Sequence, residues 1–258
     1  MRVVSAGRAV FAATLMAIGV FGLVQGDFAP IWQPVPRDFL ARDLVIYCTA
    51  AFSLASGAAL LWQRTAALAA RVLLAVLAVW TLIFRARYIL LQPLVEGTYQ
   101  SLGENVVLVA AAWVLYAELA AAGDRRRFVF ATGESGVHVG RVLYALAMIA
   151  FGLSHFFYLK LTAPVVPGWL PWHTAWAYLT GVAYLAAAAA MLSGVCAPLA
   201  AALSALQMGL FTLLVWVPIV TAGGDASSWS ELVVSWALTA GGWVVADSYR
   251  TPRPGARP

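Results

Sequence analysis

Two arginines two residues apart, Arg85 and Arg87, stand near the end of a long apolar run. An arginine at the centre of a bilayer costs about 2.5–3.5 kcal/mol on insertion scales, so such residues are usually paired or functional. Two positions on a helix are about 200° apart, so the pair cannot both face one partner. Two readings follow. In one, both snorkel to the headgroups with their stems in lipid. In the other, one of them pairs with Glu104 or Asp27 inside the bundle, or meets an anionic headgroup or a quinone carbonyl. Glu104 and Glu231 each open an apolar run, where an acid suits a helix N-terminus by about 0.3–1 kcal/mol. They could also take a cation each, Arg85 or Arg87 for the first and Lys160 for the second. His155 lies among Phe151, Phe156, Phe157 and Tyr158. A lone histidine there is either hydrogen-bonded structure or a proton relay and quinone partner, since imidazole titrates near pH 6.5. The corner from Val166 to His173, with two prolines and the tryptophans Trp169 and Trp172, reads as an interfacial lid that could mouth an aromatic pocket.

Several chemistries are not encoded. No phosphate-binding loop, nucleophile elbow, HExxH or dinucleotide fingerprint is present. Cys48 and Cys196 form no CxxC, and His138 and His173 give His155 no partner at metal spacing, so no metal site is expected. No cofactor is evident beyond a quinone as candidate ligand. An enzyme would need a paired acid and base that the chain does not offer.

The elements that must position these residues are membrane spans. With 63% hydrophobic and only 10% charged residues, the chain lies outside soluble composition. Eight runs approach the roughly 17–25 residues that cross a bilayer. They are 9–24, 44–62, 68–91, 106–122, 142–159, 175–192, 197–220 and 232–246. The first lacks a small-residue cleavage site and is read as a span rather than a signal peptide. Arg2, Arg8, Arg64, Arg71, Arg125, Arg126, Arg127, Arg141, Arg250, Arg253 and Arg257 fall on one side of this threading. Asp27, Asp38, Asp43, Glu96, Glu104, Asp225 and Glu231 fall on the other. Basic loops stay cytoplasmic, so both termini are expected in the cytoplasm of a bacterial inner-membrane protein. The formal charge of +5 follows that sidedness and does not point to nucleic acid.

The chain also resembles itself. Arg8, Gly19 and Pro34 recur as Arg141, Gly152 and Pro167, and Tyr47 and Thr49 as Tyr178 and Thr180. Such a repeat bears on the fold. The expected architecture is all-α, a polytopic membrane protein of eight transmembrane helices as two tandem four-helix bundles. The units are 1–122 and 141–249, joined by a cytoplasmic linker over 123–140 and followed by a tail over 250–258.

The second unit resembles the DoxX-like family of four-helix membrane proteins. The likeness rests on Gly152, Ser154-His155-Phe156, the corner Val166-Pro167-Gly168-Trp169-Leu170-Pro171, the stretch Trp176 to Gly181, and the late span from Trp229 to Ala246. It covers 141–247 and extends to 8–118 only through the repeat. An acidic residue often stands three positions after the Thr-Gly pair in that family, and here the position is Tyr184. Gly22 holds the place that matches His155. The resemblance implies a small accessory membrane subunit of a redox or stress-related system, with a membrane or redox protein as partner. The alternative is a small-molecule transporter or channel. Candidate ligand-binding residues are Arg85, Arg87, Glu104, His155, Trp169, His173 and Glu231.

Overall fold

The computed structural model describes residues 4–250. Arg2, Arg253, Arg257 and the tail beyond Arg250 lie outside the described residues. Those described are helical, with no strand among them. Eight long helices follow one another: α1 (Ala6–Gln25), α2 (Arg42–Leu61), α3 (Ala66–Leu91), α4 (Glu96–Leu119), α5 (Gly133–Phe157), α6 (His173–Ser193), α7 (Ala197–Thr221) and α8 (Ala226–Ser248). The first seven are long and apolar enough to cross a membrane, and the chain is a polytopic all-α membrane protein. Helix α8 is not one of the seven, although its 23 residues reach about 34 Å. Its composition differs because of its place. It packs against α1, α4 and α7, where Thr239, Gly241, Gly242 and Ser248 are buried, and keeps only a narrow outward stripe of Trp229, Trp236 and Trp243.

Sequential helices pack as neighbours, α1 on α2, α3 on α4, α5 on α6, and α7 on α8. Contact also runs between the two predicted units, α4 on α5 and α8 on α1, with α4 and α8 touching in the middle. The core is continuous from Phe11 and Leu73 through Val107 and Ala111 to Tyr144 and Val245.

Close approach explains the pairing of α1 with α2. A Cβ on Gly19 would stand 2.7 Å from both the Ala50 carbonyl oxygen and the Leu54 nitrogen. The helices therefore meet backbone to backbone, as small residues allow in membranes. Gly19→Ala is expected to cost about 1–3 kcal/mol through overpacking. Val20→Ala on the exposed face should stay within about 0.5 kcal/mol. Thermal unfolding of the two variants in detergent checks the difference.

Arginines bind carbonyls at one end of the bundle. Arg8 Nε donates to the Leu60 carbonyl at the end of α2 (2.7 Å). Arg125 Nε donates to the Ala120 carbonyl at the end of α4 (2.9 Å), and Arg141 Nη2 to the Ser248 carbonyl at the end of α8 (2.6 Å). Helix C-termini leave acceptors unpaired and carry partial negative charge, which a guanidinium answers twice over. The basic side of the sequence is thus also a set of helix caps. At the opposite end Asp225 caps α8, accepting from the Ser228 N–H at 2.9 Å. That bond and the Ser228 and Ser227 hydroxyls hold the Asp225 carboxyl below the usual carboxylate range.

Helices α3 and α7 share an irregularity. Each passes into a π-helical segment, Thr81–Ala86 in α3 and Thr212–Trp216 in α7, before resuming α-geometry. Such single-turn π segments are often found at functional sites. Helices α2 and α6 share another feature: each follows a non-glycine residue in the left-handed region, Ala41 (φ 53°) and Trp172 (φ 55°).

Candidate functional site

Five helices enclose one large cavity of about 600 Å³ at the end of the bundle away from the arginine caps. Each wall comes from a segment with a local reason to be there. Helix α5 presents Phe151, Ser154 and His155 in its last turns. Helix α6 offers Thr180 and Tyr184, and Gly181 keeps it tight against α5: a Cβ there would stand 2.9 Å from His155 Cβ. The π segment of α7 sets Val215 and Trp216 into the wall behind Phe211. Thr212 steadies that segment by donating to the Met208 carbonyl (3.1 Å) and pairing with the Ser235 hydroxyl of α8 (2.7 Å). Glu104 of α4 and Glu231 of α8 complete the wall.

The cavity reaches the surface along α6 and α7. Its lining includes Leu179, Leu203, Leu206 and Leu210, all of which are exposed on the outside of the bundle. Val166, Pro167 and Leu170 of the corner line it too, so the corner does border a pocket.

His155 is the best-defined polar group. Its Nδ1 lies 2.7 Å from the Phe151 carbonyl oxygen. A carbonyl only accepts, so Nδ1 carries the proton and Nε2 of the neutral ring is an acceptor. The ring stacks on Phe211 (5.8 Å between centroids, 19° between planes) and lies 5.7 Å from Tyr184. Tyr184 is itself hydrogen-bonded to Gln207, whose Nε2 donates to the Thr180 carbonyl (3.1 Å). Among the polar functions in the wall, His155 Nε2 and the Glu231 carboxyl can accept, beside the Gln100 amide and the Trp176 and Trp216 indoles, which bring N–H donors.

The two arginines part company. Arg85 is buried at 8% exposure, and its Nη1 lies 3.6 Å from Glu104 Oε2. It also donates to Ser101 Oγ, while its Nε is buried with no partner. Snorkelling does not describe it, because the π segment turns its side chain inward toward α4. Arg87 is exposed, with its guanidinium over the Tyr88 ring at 5.1 Å. Asp27, the other partner considered for these arginines, is taken by Arg42 at 2.8 Å. Among the described residues no ion pair joins Lys160 to Glu231.

Of the seven candidate residues, Glu104, His155 and Glu231 meet in the cavity, and Arg85 stands behind Glu104. Arg87, Trp169 and His173 are not in its wall. Trp169 is exposed at the corner, and His173 begins α6. Gln100, Tyr184, Gln207 and Phe211 are wall residues beyond that set. Gln207 was detectable in principle, as the one carboxamide in the charge-free stretch from Leu161 to Gly224. Among the described residues no group of three His, Cys, Asp or Glu could hold a metal ion, and Cys48 and Cys196 are free. Comparison with family models, with curated proteins and with solved structures gives no match.

Proposed function

We propose that the protein is a ligand-binding accessory subunit of a membrane redox or stress-related system, and that its ligand is a quinone or another lipid-like molecule entering from the bilayer. The observation that carries this is the cavity, mostly apolar and aromatic, with a few polar groups, whose lining includes leucines on the outer surface. Binding sites for small molecules have this make-up, and a membrane-soluble ligand could enter past such leucines without crossing water. The sequence likeness to DoxX-like proteins points the same way. In this reading α8 is an eighth span, both termini are cytoplasmic, and the halves are a duplicated four-helix unit. The matched π segments and left-handed residues support the duplication. Transport is the weaker reading. A transporter alternates access around a site near the bilayer midplane, but this cavity is walled from one end only and the arginine-capped end contributes nothing to it.

The test is mass spectrometry of small molecules retained by protein purified in mild detergent. A quinone or one lipid species enriched well above its share of the membrane is the expected result. Bulk phospholipid in membrane proportion would refute a dedicated site.

A further inference from the structure

The first half holds a filled counterpart of the cavity. Helix starts and irregularities recur at fixed shifts: 131 residues for Ala41 and Trp172, for Ala66 and Ala197, and for the π segments opening at Thr81 and Thr212. A shift of 133 relates the 3-10 turn Pro30–Trp32 to the 3-10 turn Ala163–Val165, as it relates Gly19 to Gly152. In the first half the turn drives Trp32 into the bundle, where it is fully buried. Its indole N–H donates to Ser53 Oγ (2.9 Å), and its carbonyl accepts from Trp80 Nε1 (3.1 Å). Its ring packs edge-on against Trp80 (5.2 Å) and Phe52 (6.0 Å), and Phe84 lies 4.4 Å from Trp80.

The same shifts carry this cluster onto the cavity wall of the second half. Trp32 becomes Val165, Phe52 becomes Ala183, Trp80 becomes Phe211 and Phe84 becomes Val215. All four replacements line the cavity, and all four are smaller. Two exchanges run the other way: Ser53 becomes Tyr184, and Gly22 becomes His155. Space has been cleared where an indole stood, while new rings and an acceptor have been added around it. A void this size, lined by side chains that forgo packing contacts, costs stability unless something fills it.

We propose that the cavity is a ring site: a flat aromatic ring bearing a hydrogen-bond donor takes the place in the second half that Trp32 fills in the first, and its donor goes to His155 Nε2. This rests on the ligand-binding reading above and narrows its chemistry: a quinone in its oxidised form only accepts hydrogen bonds, so the ring is a quinol or another O–H- or N–H-bearing aromatic. A ring that presents an O–H or N–H suits the acceptors in the wall, and a tail would leave past Leu179 and Leu206.

The experiment uses the full chain in detergent, with indole as probe and 1-methylindole as the same ring without its N–H, read by the shift in unfolding midpoint. Wild type should bind indole saturably and bind 1-methylindole about three- to tenfold more weakly, the worth of one buried hydrogen bond. Val165→Trp should abolish the response, and Val165→Ile, of similar shape to the native residue, should retain it. Should Val165→Trp fail to fold, Ala183→Phe serves as the second plug. His155→Phe should bind both probes equally. Equal binding of the two probes by wild type, or an unchanged response in the plugged variants, overturns the proposal. The broader reading fails separately. If indole binds as described but no native molecule is enriched, the ring site stands and the lipid-like ligand falls. If wild type and Val165→Trp retain the same native lipid, the ring site falls and lipid binding stands.

Discussion

Glu104→Ala is expected to destabilise the protein by about 3–5 kcal/mol, the cost of stranding one partner of a buried ion pair. Arg85 is 8% exposed and already has an unpartnered Nε, so loss of Glu104 leaves its guanidinium the Ser101 hydroxyl and no counter-charge. The effect should be specific. Replacing both partners, Arg85→Met with Glu104→Leu, removes the charge as well as its counter-charge and should recover most of the loss. Arg87→Leu, on the exposed side, should change stability by less than about 0.5 kcal/mol. Unfolding of the three variants and the wild type in detergent by heat or denaturant gives the comparison. A Glu104→Ala variant as stable as wild type would mean that Arg85 finds water or a headgroup after all.

Trp32→Ala should be comparably costly, about 3–5 kcal/mol, because a fully buried tryptophan leaves a cavity that its neighbours only partly close. Trp80, Phe52 and Ser53 each lose a contact. Trp32→Phe keeps most of the ring and gives up the N–H, so about 1 kcal/mol is expected. Free indole should restore part of the stability of Trp32→Ala by refilling the vacancy. A variant that loses little, and gains nothing from indole, would show that the first half is not held by this plug.

The sequence carried the membrane class because composition and run length suffice for it. Spans one to seven were readable from apolar runs bounded by charge, Pro and Gly. Helix α8 was harder to judge by hydropathy: its interior face trades apolar side chains for Gly, Ser and Thr. The close pairing of α4 with α5 was not readable, because small-residue contacts such as Gly140 against Ala110 and Val114 leave no period in the sequence. Of the site, Arg85 with Glu104 was accessible as a charge anomaly, and His155 and Glu231 as isolated polar groups beside apolar runs. The reason Arg85 turns inward was not, since a π segment has no local sequence signature comparable to a proline. The cavity itself is a difference in side-chain volume between two halves. It emerges only when Val165 is set against Trp32 and Ala183 against Phe52, which requires knowing that both lie at the same place in their helices.

The most direct test is a high-resolution map of the protein in lipid nanodiscs. The account predicts eight helices across the bilayer and ring-shaped density beside Phe211 and His155, with any tail leaving between α6 and α7 into lipid. A cavity collapsed shut or filled only by water, or α8 lying outside the membrane, would contradict it.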